Sequence, residues 1–354
     1  MPAALPGATR HHSSVQTFMT SNLNRRSAPV GISILVSLAA AAALTCAGPA
    51  SAQFTPSFRQ TLTVTRAEPV TLEVELTTGD LQIFYSRDGQ VSITAWAKTL
   101  AGFDSKDQPD KSYLKSGLSL EQNNNHITIR HIPSATNQEE RFSVIYRIDV
   151  PYWTEVTSNV HVGKQTISGI MGPVKTSVEK GDIKASYISK SLQAQVDVGN
   201  LDIEVIGEHA DVKTRSGNIS CSRAAQGVTA ETEDGDITLM VVGPSAATIK
   251  KGTGRIDIGG ARGSLVASTA AGDIHVKALP HDDWRLTSSS GNIRLEFPTA
   301  AKLDLDASTD AGEFQVDRED IAKPVAQLRH LNRKINGGGK HIDAHTGSGN
   351  VVIR

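Results

Sequence analysis

One short pattern recurs along this chain: a glycine, then an acidic or amide residue, then an aliphatic one. It reads Gly181-Asp182-Ile183, Gly199-Asn200-Leu201, Gly217-Asn218-Ile219, Gly235-Asp236-Ile237, Gly272-Asp273-Ile274 and Gly291-Asn292-Ile293. With the variants at Gly163, Gly254 and Gly312 included, successive glycines lie 18, 18, 18, 18, 19, 18, 19 and 21 residues apart. Gly349-Asn350-Val351 follows 37 residues after Gly312, about two periods, and Gly79-Asp80-Leu81 stands alone near the start. A period held over so many intervals marks an array of stacked repeats.

The residues between glycines alternate, and the alternation changes parity at each corner. Leu192, Ala194, Val196 and Val198 share one parity, whereas Leu201, Ile203 and Val205 follow on the other. The same change runs from Val228, Ala230 and Thr232 to Ile237, Leu239 and Val241. A straight strand would turn its apolar side to water at such a slip. A chain that bends at the glycine keeps both flanking strands facing inward. Two short strands and two bends per repeat make one rung of an all-β fold, a β-helix-like β-solenoid of about 18 residues per rung. About ten rungs at the usual strand spacing predict a rod on the order of 45–50 Å long. A flat stack of hairpins fits less well, because each repeat carries one strong corner and a looser second bend such as "GEHA" or "RAAQG". Only residues 317–335 could supply a short helix or an ordered loop, inserted before the last rung.

The sequence divides accordingly. Residues 1–52 have three arginines, no acid, an apolar run from about Val30 to Ala47, and a closing Ala50-Ser51-Ala52. That is a signal peptide with cleavage expected after Ala52. A retained membrane anchor is the rival reading, a lipid attachment at Cys46 a weaker one, and Met19 offers a second start. Residues 53–160 are expected to form an irregular N-terminal β cap with a polar insertion at 98–125. Residues 161–354 are the solenoid, with an insertion at 317–340. Beyond the leader, 33 Lys and Arg face 37 Asp and Glu, a charge of −4, which gives no electrostatic reason to seek nucleic acid. One cysteine remains, Cys221, so stability rests on packing and strand pairing rather than on a disulfide. No membrane span is expected once the leader is gone.

Candidate sites are few. Stacking would align Asp182, Asn200, Asn218, Asp236, Arg255, Asp273, Asn292 and Glu313 in a column. Carboxylates at that spacing suit calcium, yet neutral and cationic members interrupt them. Turn chemistry explains the corners better: Gly79, Gly181, Gly199, Gly217, Gly235, Gly254, Gly272, Gly291, Gly312 and Gly349 supply the bend, and the residue after each, such as Asn350, holds it. His341, Asp343 and His345 alternate on one strand face and are the one candidate metal set. The ordinary reading places them on the solvated outside of the last rung. The glycines of "KGTGRIDIGGARG" have no helix to follow them and do not form a phosphate loop. Cys221 reads as a buried small residue and "SSS" at 288–290 lacks a base. Tyr152, Trp153 and Trp284 could stack sugars, or could pack the cap. No cofactor is called for.

The lead-in "RIDVPYWTEVTSNVHVG", the corner repeat and the closing "INGGGKHIDAHTGSGNVVIR" resemble the bacterial putative-adhesin family, exported β-strand-repeat domains of unknown function. The resemblance spans about residues 60–354, with departures at Gly163-Lys164-Gln165 and Gly254-Arg255-Ile256. It implies a solenoid outside the inner membrane and brings no established reaction. The expected function is a non-catalytic surface or cell-envelope scaffold, periplasmic, cell-surface or secreted. Its ligand would be an envelope or extracellular glycan or protein, bound along the rung faces. The alternatives are a polysaccharide-acting β-helix lyase or hydrolase, and a periplasmic partner of an envelope-stress system.

Overall fold

The computed structural model describes residues 58–66, 68–99, 117–131, 142–240, 242–249, 252–319, 321 and 328–354. The leader lies outside the described residues, as do positions 100–116 of the polar insertion and 322–327 of the later one. The chain opens with β1 (Phe58–Thr63), β2 (Val70–Thr78), β3 (Asp80–Ser86), β4 (Gln90–Thr99), β5 (Leu118–Asn123), β6 (His126–His131) and β7 (Phe142–Pro151). Regular pairs follow: β8 (Thr154–Val162) with β9 (Gln165–Ser168), β10 (Val174–Lys180) with β11 (Ile183–Ile188), and β12 (Leu192–Val198) with β13 (Leu201–Ile206). Next come β14 (Ala210–Ser216), β15 (Ile219–Ala224), β16 (Val228–Asp234), β17 (Ile237–Met240), β18 (Ser245–Ile249) and β19 (Ile256–Gly259). The series ends with β20 (Leu265–Ala271), β21 (Ile274–Lys277), β22 (Trp284–Ser290), β23 (Ile293–Glu296), β24 (Leu303–Thr309), β25 (Phe314–Val316), β26 (His330–Ile335), β27 (Lys340–Thr346) and β28 (Val351–Ile353).

These strands form a two-faced β-solenoid. Even-numbered strands with β5 and β27 build one 14-stranded sheet, and odd-numbered ones with β4 and β28 build the other. In the middle, each strand pairs in parallel with its counterpart one repeat away: Val174 lies opposite Leu192, Leu192 opposite Ala210, and Ala210 opposite Val228. The alternation read from sequence becomes burial along most of each strand. Val198, however, is exposed at the corner, and the left-handed bend at Val205 turns Ile206 inward in its place. Leu192, Ala194 and Val196 face inward from one sheet and meet Leu201 and Ile203 from the other. One continuous apolar core runs between the sheets from Leu62 to Ile353.

The corner explains the glycine. Gly181 and Gly199 hold φ of 143° and 145°, a region that side-chain-bearing residues rarely enter. A Cβ on Gly199 would also overlap the carbonyl oxygen of Gly181 one rung below, and one on Gly181 that of Gly163. Stacked corners therefore leave no room for any side chain there.

Both ends depart from chain order. At the N-terminal end, the pair β6/β7 stacks outside β2/β3, while β8/β9 lies on the other side of β2/β3. Gly79 is thus not solitary: it enters the corner column directly beneath Gly163. Antiparallel strands β4 and β1 on one sheet and β5 on the other finish this end. Part of the expected polar insertion is in fact this hairpin, with Asn124 at φ 54° in the β5–β6 turn. Asn125 accepts a hydrogen bond from Thr65 N (2.9 Å) and donates to the carbonyls of Thr65 (2.8 Å) and Glu68 (2.9 Å), fixing the approach to β2.

The C-terminal end inverts the device. β27/β28, the last strands in sequence, insert between β22/β23 and β24/β25, so the corner of Gly349 sits between those of Gly291 and Gly312. The last 15 residues are therefore the penultimate rung, which corrects the expectation of a final one. Residues 330–335 are a strand, not helix or loop: β26 runs antiparallel along the outer side of β24, with Leu331 and Ile335 buried. Ile335 and Lys340 both lie opposite Leu303, on its two sides. Residues 336–339 must hop across the start of β24. Asn336, Gly337 and Gly338 take φ of 50°, 88° and 85°, and a Cβ on Gly339 would overlap the Lys302 carbonyl. That crossing is why the segment is glycine-rich.

Candidate functional surface

The corner residues are tied to backbone. The side-chain oxygen of each accepts the backbone N–H of its counterpart one rung on: Asn200 N to Asp182 Oδ1 (3.0 Å), Asn218 N to Asn200 Oδ1 (3.0 Å) and Asp236 N to Asn218 Oδ1 (2.9 Å). Arg255 N to Asp236 Oδ1 (2.7 Å), Asn292 N to Asp273 Oδ1 (2.8 Å), Asn350 N to Asn292 Oδ1 (3.0 Å) and Glu313 N to Asn350 Oδ1 (2.8 Å) continue the ladder. An acidic or amide residue is needed because only it places an acceptor there; Lys164 and Arg255 have none to offer. The Asn200 backbone N–H holds Asp182 below the usual carboxylate range, burial opposes this, and the Lys164 ammonium at 3.1 Å adds to it.

A second row lies just inside the corner and escaped the sequence reading. Thr214, Thr232, Ser288, Thr346 and Thr309 donate to the carbonyls of Gly199 (3.2 Å), Gly217 (3.3 Å), Gly272 (3.0 Å), Gly291 (2.6 Å) and Gly349 (2.8 Å). Its signal is a Thr or Ser three residues before the corner glycine. Earlier rungs carry Val160, Val178 and Val196 at that position. Ser288 thus has a structural partner.

His341, Asp343 and His345 share the outward face of β27, and each has its own partner. Asp343 faces Arg285 (3.5 Å), His345 Nδ1 lies 3.0 Å from Ser308 Oγ, and His341 is anchored through its backbone N–H to Asp283 (2.8 Å). Next to them His330 contacts Asp306 (2.6 Å), which together with Asn332 holds that carboxyl below its ordinary range. Among the described residues no three His, Cys, Asp or Glu side chains are arranged to hold a metal ion. Cys221 is buried, and burial pushes its thiol up to about 12. Trp284 is buried too, its indole N–H donating to Gly263 O (3.3 Å), and so is removed from any sugar-stacking set.

Outward charges are mostly closed between rungs. Lys184 pairs with Asp202 (3.1 Å), Arg215 with Asp197 (3.1 Å), Arg223 with Glu204 (2.8 Å), and His161 with Glu179. A groove of about 350 Å³ near the C-terminal end holds the densest set. There His275 lies 3.2 Å from Asp257 and 3.3 Å from Glu296. Burial works to raise Glu296, but Arg294 at 2.6 Å outweighs it and the carboxyl sits below its usual range. A carboxyl held ionised is the opposite of a general acid.

Aromatic surface gathers elsewhere, at the second bend of the first rungs. Tyr85, Tyr152, Met171 and Tyr187 are 45%, 44%, 50% and 57% exposed. Tyr85 lies over the bare Cα of Gly169, Met171 N bonds Tyr152 O (2.7 Å), and Gly169 N bonds Ser186 O (3.2 Å) beside Tyr187. Trp153 meets Tyr152 edge-on at 4.8 Å and has Arg66 over its ring at 5.5 Å. The bend is a bulge at one register position, where Tyr187, Val205 and Arg223 take φ of 54°, 57° and 59°. Gly169 and Gly260 hold similar values of 79° and 73°. Left-handed φ at tyrosine, valine and arginine is strained.

A family model described as Toastrack DUF4097 matches residues 70–354. No curated protein matches the chain. Three solved structures similar to it are a putative adhesin from Bacteroides fragilis NCTC 9343, another from Parabacteroides merdae ATCC 43184, and a putative lipid binding protein from Parabacteroides distasonis ATCC 8503. The first two are 13% identical and the third 10%, each covering 84% of this chain. They are covered over 96%, 95% and 96% of their own lengths, with TM-scores of 0.33, 0.29 and 0.30.

Proposed function

Because the chain belongs to the Toastrack DUF4097 family, we propose that it is an exported, non-catalytic binding scaffold of the cell envelope, displayed in the periplasm or at the cell surface. The observation that supports this most is the outer surface. Its charges are paired from rung to rung, its grooves are open and of about 260–490 Å³, and, among the described residues, four of its nine exposed large apolar or aromatic side chains gather on the first rungs. Such a surface suits contact over several rungs rather than enclosure of one reacting bond. Among the described residues no helix is long and apolar enough to cross a membrane, so attachment would rest on the leader or on the ligand.

The alternative of a polysaccharide-acting enzyme draws on the groove of Asp257 and His275, whose imidazole also meets Glu296 beyond the groove lining, so that two acids flank it. One experiment weighs both. The purified protein is applied to an array of glycans and envelope extracts, and release of new reducing or unsaturated ends is followed in parallel. Binding without turnover is expected. Turnover abolished by Glu296→Gln would replace the scaffold by the enzyme. Cell fractionation of the native chain checks export separately.

A further inference from the structure

The binding-scaffold reading leaves open where a ligand would sit and what it would be. Among the described residues three tyrosines are exposed, Tyr85, Tyr152 and Tyr187, and all three lie on the first rungs. Of nine large apolar or aromatic side chains exposed among the described residues, four are Tyr85, Tyr152, Met171 and Tyr187. Exposed apolar surface gathered in one place marks an interaction site more often than the same residues scattered singly.

The backbone is arranged to produce this surface. Tyr85, Gly169 and Tyr187 occupy one register position on successive rungs, since Phe84 pairs with Ser168 and Ser168 with Ser186. Gly169 has no side chain, so the Tyr85 ring spreads across it toward Tyr187. Tyr187 keeps its left-handed φ although glycine, present at the equivalent Gly169 and Gly260, would relieve it. Val205 and Arg223 take the same φ on the next two rungs, so the bend is a feature of the coil, and at Tyr187 it turns an aromatic ring outward. Phe84, on the outward side of β3, extends the platform and carries Arg147 over its ring at 4.9 Å.

We propose that this face, Tyr85, Tyr152 and Tyr187 with Phe84 and the half-buried Trp153 at its edges, binds an uncharged linear glycan by stacking pyranose rings on the exposed aromatic side chains. The inference rests on the scaffold reading and deepens it. Pyranose rings present flat faces of C–H groups with hydroxyls around the rim. Aromatic faces take the former, and polar groups beside them take the latter. The platform offers both, because Arg147 bonded to Asp149 (2.9 Å) and Lys184 paired with Asp202 (3.1 Å) stand next to it. Arg147 and Lys184 are thus neutralised by their own carboxylates and Arg66 is engaged on the Trp153 ring, which matches a neutral ligand better than an anionic lipid surface. The rings also repeat along the stack, with Tyr85 and Tyr187 two rungs apart, about 9.6 Å at the usual strand spacing. A repeating ligand can meet a repeating platform. A protein partner would need some 20–30 residues a side for a standard interface, far more than these five.

The test uses the purified full chain with neutral hexasaccharides (cellohexaose, xylohexaose, mannohexaose and chitohexaose). Tryptophan fluorescence and calorimetry are the readouts, with phosphatidylglycerol vesicles in a parallel arm. Binding of at least one hexasaccharide is expected. Tyr85→Ala/Tyr187→Asn should weaken it at least tenfold, with unchanged circular dichroism, because both residues are exposed and asparagine accepts the left-handed φ. Met240→Ala, also exposed but on a distant rung, should leave it unchanged. A glycan bound equally by the double variant would overturn this face while sparing the scaffold reading. Absence of binding to all four sugars overturns the glycan assignment, as does vesicle binding lost in the double variant. Turnover of a bound sugar would sink the scaffold reading itself.

Discussion

The middle rungs and the two ends are built from the same strands under different rules. From β10 to β17 every strand meets only the strands one repeat before and after it. At the ends the partner is far away in sequence: Lys164 N bonds Asp80 across 84 residues, and Asn350 N bonds Asn292 across 58. The middle can grow by local addition, as repeat arrays do. The C-terminal end cannot, because β24/β25 has no rung beneath it until the chain has turned back and filled the gap. An open stack exposes unpaired backbone at both faces. Here each face is closed by strands borrowed out of order, with antiparallel β1, β5 and β26 outermost on three of the four sheet edges.

Removing residues 340–354 should break this contrast most severely. The deletion takes away Ile342, Val351 and Ile353, whose burial contributes about 5–9 kcal/mol at usual values, and strands β24/β25 against nothing. Hydrogen exchange should show residues 303–316 unprotected while 174–240 stay protected. Protection persisting over 303–316 would mean that β24 docks directly on β22, and that the late strand is not what holds the end. Gly199→Ala should come next, at about 2–4 kcal/mol, because strain and overlap act together in a rung packed on both sides. At Gly312, at the free end of the column, a Cβ would still meet Gly349 O and Thr309 Oγ1, but the backbone is outside the left-handed region and adds no strain. Gly312→Ala should therefore cost clearly less in urea unfolding; equal costs would show the end to be as rigid as the middle.

What was legible follows the same division. In the middle the repeat is local, so the period and the parity change gave rung length, inward residues and corners directly. At the ends, sequence distance stopped tracking spatial distance. Gly79 looked isolated because its stacking partner lies 84 residues away, and the last corner looked like a last rung because nothing in "INGGGKHIDAHTG" says which side of β24 it will enter. The candidate surface was half legible. Tyr152 and Trp153 were visible as aromatics, but Trp284 joins the core, and Tyr85 and Tyr187 meet only through rung stacking. The strained bend at Tyr187, Val205 and Arg223 carries no glycine to announce it.

Removing a corner acceptor should have a smaller effect. Asn218→Ala leaves the Asp236 N–H without its partner, at about 0.5–1.5 kcal/mol for a typical hydrogen bond, and toward the low end because water reaches the corner. Asp182→Asn sharpens the point, since the amide oxygen can still accept from Asn200 N as Asn200 and Asn218 do for their successors. At pH 7 the variant should lose only the pairing with Lys164, about 0.2–1 kcal/mol for an exposed pair. In acid the order changes. The folded-state pKa of Asp182 is lowered, so its contribution is present above the unfolded value of about 3.9 and is lost as pH falls through the lower folded one. An amide does not titrate, so stability measured from pH 5 down to pH 2 should fall less steeply in Asp182→Asn than in the parent. Parallel acid limbs would mean that the Asp182 charge, as distinct from its oxygen, contributes nothing to the corner. The residue's place in the ladder would then be purely that of an acceptor.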